Sequence, residues 1–78
     1  MLEEIKTLLV NELNIEHPED VTMDASLAND LGINSLELAD LVLLCEEKFN
    51  IEIDEDDLRE LITVGDVVRY LEEKSGNN

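Results

Sequence analysis

The sequence predicts a small all-α protein with four helical stretches. Apolar residues recur at spacings of three and four in four separate windows, which is the pattern of amphipathic helices. No segment alternates like a strand for more than three residues, and one Phe and one Tyr leave the core to Leu, Ile and Val. With 78 residues, of which 44% are hydrophobic, we expect a single domain over 1–78 with a frayed tail at about 75–78.

The first predicted helix runs from Leu2 to Leu13 and is followed by a long loop. His17 precedes Pro18, and a residue before proline is disfavoured in the α region, so the helix ends before this pair. The loop, roughly 16–34, needs anchors because structureless loops of this length are unusual. We expect one turn around Ser26–Asp30, closed by Gly32 in a left-handed conformation. The apolar residues that face the core are predicted to be Ile5, Leu8, Leu9 and Leu13 in the helix, and Val21, Met23, Leu27 and Leu31 in the loop.

The second helix carries the clearest start and stop signals. Asn34 suits the N-cap, and Glu37 three residues later completes a capping box. The helix should end near Phe49–Asn50. Its predicted buried stripe consists of Leu38, Leu41, Val42, Cys45 and Phe49. Three further apolar residues, Leu36, Leu43 and Leu44, exceed what one stripe can bury.

Two shorter helices are predicted in the remaining chain. Residues 51–53 are an extended linker, and the acids of 54–57 then open a short helix, since acids favour the positive end of the helix dipole. This third helix carries Leu58 and Leu61, with Ile62 as a further candidate. Thr63 can cap the last helix together with Asp66. The predicted buried face of that helix is Val64, Val67, Val68 and Leu71.

Charge excludes several classes of function. The chain has 21 Asp and Glu against 5 Lys and Arg, for a net charge of −16. Such a protein repels nucleic-acid phosphates and anionic membrane surfaces. No apolar run approaches the ~20 residues that span a bilayer, and acids stand where a signal peptide has bases. The only cysteine, Cys45, forbids an intramolecular disulfide. We therefore expect a cytoplasmic protein with no nucleic-acid partner and no membrane insertion.

Residues able to support catalysis are few. The one histidine, His17, lies in a loop, where a solvated side chain is the ordinary outcome. Cys45 falls on a buried stripe, where cysteine behaves as a small hydrophobic residue. Serine catalysis needs a base, and His17 is the only imidazole in the chain. The sequence therefore predicts neither a catalytic residue nor an ordinary hydrolase.

The acidic segment 52–57 suggests calcium, but the EF-hand template does not fit. A loop counted from Asp54 places Arg59 where glycine is needed and Gly65 where the bidentate glutamate is needed. A loop counted from Asp20 fails at the same two positions. No metal site is predicted from either start.

Ser35 admits two interpretations. A serine in the first turn of a helix is commonly a helix starter and nothing more. Alternatively, its hydroxyl carries a phosphate-linked group, because free backbone N–H groups and the positive dipole end of the helix would face a phosphodiester there. Spacing alone leaves both interpretations open.

Residues 30–38, read as Asp-Leu-Gly-Ile-Asn-Ser-Leu-Glu-Leu, resemble the phosphopantetheine attachment motif of acyl carrier proteins. Residues 46–53 are similar to the acidic end of that family's second helix and the linker after it. Residues 63–67 are similar to the start of its final helix. The resemblance extends from the first helix to Leu71, and with the length and acidity of the chain it is specific.

The resemblance implies a small four-helix bundle with a long first loop and a short third helix. It implies that a phosphopantetheinyl transferase attaches 4'-phosphopantetheine from coenzyme A to Ser35, and that the arm carries acyl groups as thioesters. The chain would be a monomeric carrier and not an enzyme, serving acyl-transferring and chain-elongating or modifying enzymes of fatty acid, polyketide or related lipid biosynthesis. Basic patches on these partners would dock on the second helix. By position, the matching recognition residues are Leu36, Glu37, Asp40, Leu43, Glu46 and Glu47.

One residue departs from the family pattern. The family typically has Asp before the modified serine, whereas this chain has Asn34, which caps a helix equally well but lacks the charge.

For a fatty cargo we expect an apolar space between the second helix and the last two, lined by Val42, Cys45, Leu58, Ile62 and Leu71. Two hypotheses of other classes stand beside the carrier: an acidic protein-interaction module without a cofactor, and a calcium-binding module.

Overall fold

The computed structural model describes residues 1–74, and the predicted tail at 75–78 lies outside this range. Its elements are helix α1 (Leu2–Glu12), helix α2 (Ser35–Phe49), a 3₁₀ helix (Glu55–Glu60) and helix α3 (Val64–Lys74). The all-α fold class and the four helical elements are confirmed. Within residues 1–74 there is no strand, only an isolated bridge between Ser26 and Thr63.

Helix α1 packs its apolar side against both α2 and α3. Ile5 and Leu9 are fully buried, while Leu8 and Leu13 are half-buried and pack against the core. The C-cap of the helix is Leu13, whose N–H donates to the Leu9 carbonyl, and Asn14 follows in a left-handed conformation (φ 56°). The predicted boundaries of the first helix are therefore correct to one residue.

The long loop is anchored, as its length requires. It contains one 3₁₀ turn at Pro18–Asp20 and the predicted turn at Ser26–Asp30, in which the Asp30 and Leu31 N–H groups both donate to the Ser26 carbonyl. Gly32 takes the left-handed conformation (φ 68°). Four loop residues are buried in the core: Val21, Ala25, Leu27 and Ile33.

The third element is a 3₁₀ helix of six residues. It is short, as predicted, and Leu61 lies just beyond its end. Ile62 is 59% exposed, so it is not a core residue. The Ile62 carbonyl accepts the Leu27 N–H, and its own N–H donates to the Asp66 carboxylate. These bonds fix the backbone at Ile62 in the turn between the two helices.

Helix α3 begins with the predicted cap. The Asp66 N–H donates to Thr63 Oγ1 at 3.1 Å, and the Thr63 N–H donates back to Asp66 Oδ2 at 3.0 Å. Every predicted core residue of this helix is buried. Among residues 1–74, the buried apolar residues are Ile5, Leu9, Val21, Ala25, Leu27, Ile33, Leu41, Val42, Cys45, Leu61, Val64, Val67, Val68 and Leu71.

No helix within residues 1–74 combines the length and the apolar character that crossing a bilayer requires.

Candidate functional site

Ser35 is the first residue of α2 and is exposed to solvent. Asn34 precedes it as the N-cap, in extended backbone (φ −88°, ψ −179°). Asn34 Oδ1 accepts the Glu37 N–H at 2.8 Å, and Glu37 Oε1 accepts the Asn34 N–H at 3.0 Å. The capping box is therefore complete without Ser35, whose hydroxyl makes no hydrogen bond within the described residues.

The loop before Ser35 is held by backbone hydrogen bonds. Ile33 is buried, and its N–H donates to the Leu27 carbonyl at 2.8 Å. Leu27 in turn donates its N–H to the Ile62 carbonyl at 2.9 Å. Leu27 thus connects the start of α2 to the turn that precedes α3, and this connection fixes the position of Ser35.

The end of α2 that carries Ser35 suits an anionic group. The N–H groups of a helix's first turn have no partner within the helix, and the dipole makes this end positive. Of these groups, the Glu37 N–H is bonded to Asn34. A phosphodiester on the Ser35 hydroxyl would lie beside the others, so the local chemistry fits a phosphate-linked cofactor.

Four of the six predicted docking residues form one exposed stripe on α2. Leu36 is 79% and Leu43 59% exposed, and both are large apolar side chains facing solvent. Asp40 and Glu47 are exposed as well. Positions 36, 40, 43 and 47 are spaced by four, three and four, so they follow one side of the helix. The stripe alternates an apolar and an acidic side chain at each turn.

The other two predicted docking residues form hydrogen bonds inside the protein. Glu37 closes the capping box. Glu46 is half-buried, and its Oε2 accepts the Ile53 N–H at 2.7 Å. Glu46 thereby holds the linker between α2 and the 3₁₀ helix. Sequence reasoning missed this contact, because Ile53 lies seven positions away, beyond the end of the helix.

A groove of about 250 Å³ lies beside Ser35. Its apolar lining includes Leu27, Leu38, Leu61 and the exposed Ile62. Leu38 and Leu61 also line a second, interior space. Two side chains therefore stand between the groove at Ser35 and the interior of the protein.

The interior space lies between α2, the linker and α3. The volume within it that the centre of a water molecule can occupy is about 10 Å³, so the space holds one water molecule at most. Of the predicted lining residues, Val42, Cys45 and Leu71 line it, whereas Leu58 and Ile62 do not, the latter because it faces the groove outside. The full lining is Leu38, Leu41, Val42, Cys45, Ile53, Leu61, Val67, Tyr70 and Leu71.

The remaining candidate groups lie elsewhere or are inactive. His17 is exposed, with Nδ1 3.2 Å from Glu19 Oε2. Cys45 is 1% exposed, and burial raises the pKa of its thiol to about 12, so it is not a nucleophile at neutral pH. Within residues 1–74, no three His, Cys, Asp or Glu side chains are grouped so as to hold a metal ion.

Comparison with known proteins decides between the hypotheses. Residues 3–71 match the family described as "Phosphopantetheine attachment site". The acyl carrier protein of Chlamydia trachomatis serovar D is 44% identical over 72 residues, which are 92% of this chain and 92% of that protein. The chain belongs to the acyl carrier protein family.

Other acyl carrier proteins are similar over the same extent. That of Wolinella succinogenes is 44% identical over 72 residues, 92% of this chain and 93% of that protein. That of Helicobacter pylori strain J99 is 38% identical over 73 residues, 94% of this chain and 92% of that protein. The predicted family, the phosphopantetheine cofactor and the role of a carrier rather than an enzyme are confirmed. As an acyl carrier protein, the chain works with biosynthetic enzymes and with a phosphopantetheinyl transferase.

Proposed function

We propose that Ser35 is the residue that carries 4'-phosphopantetheine. The observation that supports this most strongly is an exposed hydroxyl on the first residue of a helix whose cap is already complete without it. Because Asn34 and Glu37 satisfy the helix start, esterification of Ser35 breaks no hydrogen bond of the described structure. The bound arm supplies a thiol that holds an acyl group as a thioester.

The attachment site is tested by modification in vitro. Incubation with coenzyme A and a broad-specificity phosphopantetheinyl transferase should add one group per chain, measured by intact mass. Ser35→Ala should abolish the addition. Ser26→Ala is the matched control, because Ser26 lies in the described loop nearby and should leave modification intact. Addition to the Ser35→Ala protein at the wild-type rate would show that another residue is the site.

We further propose that partner enzymes dock on the exposed stripe of Leu36, Asp40, Leu43 and Glu47. A partner that fits it presents basic side chains one helical turn from apolar ones. Opposite charges speed encounter, chiefly at low salt, and the apolar contacts then slow dissociation. Glu37 and Glu46 contribute to the same face mainly by holding it in shape, since their carboxylates are already hydrogen-bonded.

Charge reversal separates docking from total charge. Asp40→Lys and Glu47→Lys should slow association with the transferase several-fold at low salt, and the difference should shrink as salt is added. Glu12→Lys makes the same change of charge at an exposed position of α1 and serves as the control. If all three variants slow association equally, net charge is responsible and the stripe is not the docking surface.

We propose that the carrier is a cytoplasmic monomer, since a net charge of −16 repels a second copy of the chain.

We further propose that the carrier shelters fatty or related lipid acyl chains in the interior space. The lining of the interior space is apolar apart from the Tyr70 hydroxyl, which suits an unsubstituted hydrocarbon chain. A chain bound only by the folded protein raises its stability, so the acylated form should melt above the unacylated form. Equal melting temperatures would mean that the chain stays outside.

A further inference from the structure

The interior space has a near end and a far end relative to Ser35. Leu27 places the starts of α2 and α3 side by side, because it is bonded both to Ile33 and to the turn at Ile62. From there Cys45 lies ten residues along α2, about 15 Å, and Tyr70 lies six residues along α3, about 9 Å. Both residues line the interior space, so they belong to its far part.

Tyr70 is held in place by two contacts. Its hydroxyl donates to Asp57 Oδ2, in the 3₁₀ helix, at 2.6 Å. Lys74 Nζ lies 5.5 Å from the centre of its ring. Burial, reinforced by the bond to Asp57, raises the pKa of Tyr70 to about 12, so the hydroxyl stays protonated and able to donate well into the alkaline range. The ring is thus a fixed part of the wall.

The third wall of the interior space is formed by Ile53 and Leu61, and the 3₁₀ helix that connects them is the part of the surroundings best able to move. Around an interior space with room for one water molecule, a chain can enter only if a wall retreats. The walls on α2 and α3 are full α-helices, whereas the third wall consists of Ile53 and Leu61, which lie on either side of a six-residue 3₁₀ helix with poorer hydrogen-bond geometry. Its side-chain bonds to the rest of the protein include Glu46 to Ile53 at one end and Tyr70 to Asp57 further along.

We propose that the hydrogen bond between Tyr70 and Asp57 is a latch that limits how far the 3₁₀ helix can retreat, and so sets the longest acyl chain that the carrier shelters. This inference rests on the proposed burial of cargo. Short chains fit while the bond is intact. A longer chain must push the 3₁₀ helix away from α3, which breaks the bond, or leave its remaining methylenes in water.

The test compares acylated and unacylated forms of each variant by melting temperature, over a series of saturated chains of increasing length. Each further methylene that enters the protein favours the buried state roughly fourfold. In the wild-type protein the gain in melting temperature should grow with chain length and then level off. In Tyr70→Phe, which keeps the ring and removes the donor, and in Asp57→Ala, the levelling should move to chains at least two carbons longer.

Controls keep the outcomes distinct. Each gain is the difference in melting temperature between the acylated and unacylated forms of one variant, so a lower stability of the variant itself cancels in that difference. Asp56→Ala removes the same charge from an exposed neighbour and should level off where the wild type does. No gain in the wild type at any length would refute cargo burial itself. A gain that levels off at one length in every variant, or that shifts equally in Asp56→Ala, would leave burial standing and overturn the latch.

Discussion

Replacing Asn34 tests how the start of α2 is stabilised. Its side-chain oxygen accepts the Glu37 N–H at 2.8 Å, and the Glu37 carboxylate accepts the Asn34 N–H at 3.0 Å. Alanine at this position removes the acceptor of the Glu37 N–H. The bond from the backbone N–H of residue 34 to the Glu37 carboxylate then lacks the reciprocal bond that orders it. Aspartate keeps both bonds and adds a negative charge. The two substitutions therefore separate the hydrogen bond from the charge.

The expected changes follow from this geometry. Loss of an N-cap acceptor costs about 1 kcal/mol of unfolding free energy, which for a domain of this size lowers the melting temperature by about 4–8 °C. An added charge at the N-terminus gains about 0.3–1 kcal/mol from the dipole. The Glu37 carboxylate is bonded to the same residue, however, and its repulsion offsets part of that gain. Asn34→Asp should therefore stay within about 0.5 kcal/mol of the wild type.

The assay is denaturant unfolding followed by circular dichroism, at low and moderate salt. Asn29→Ala is the control, because Asn29 is an exposed asparagine whose side chain forms no hydrogen bond in the described structure. If Asn34→Ala is no less stable than Asn29→Ala, the cap does not stabilise the helix. If Asn34→Asp gains much more than 0.5 kcal/mol, repulsion from Glu37 has been overestimated. The same aspartate variant shows whether a transferase reads charge here, since its modification should then be faster, mainly at low salt.

Three further predictions concern the rest of the core and the cap of α3. Gly65→Ala should lower the free energy of unfolding by about 1 kcal/mol, measured by chemical denaturation. The added Cβ would lie 2.9 Å from the Met23 carbonyl oxygen, and the cost of this overpacking outweighs the gain in helix propensity. Cys45 should react with a thiol reagent at pH 8 only as fast as the protein opens, since burial raises its pKa to about 12; rapid reaction of the native protein would contradict this. The N–H of Thr63 lowers the pKa of Asp66 in the folded protein, so the stability lost in Asp66→Asn should be full at neutral pH. It should begin to shrink near the ordinary Asp pKa of about 4 and continue to shrink as the pH falls through the lowered pKa; a difference that is independent of pH would refute it.

Local signals in the sequence are sufficient to predict where the helices begin and end. The pair Asn34 and Glu37 and the pair Thr63 and Asp66 each lie three positions apart, and both form the predicted capping bonds. Gly32 adopts the predicted left-handed conformation. These features depend on neighbouring residues alone, so they can be read without knowledge of the tertiary structure.

Contacts between distant segments could not be predicted in this way. The bond between Tyr70 and Asp57 spans thirteen residues, and that between Glu46 and Ile53 crosses the end of a helix. Both depend on where the 3₁₀ helix lies against α2 and α3. The predicted interior position of Ile62 is wrong for the same reason: its spacing fits a helix face, but the chain has already left the helix and turns there.

The backbone bonds of Leu27 have a consequence for partner enzymes. They fasten the Ser35 end of the carrier to the start of α3, so widening of the interior at the opposite end should leave the Ser35 end in place. Loaded and empty carriers would then look alike to any enzyme that touches only the first turns of α2. If the interior shelters a chain as proposed, an enzyme that must tell them apart would have to contact the 3₁₀ helix as well, where the sheltered chain would change the outer surface.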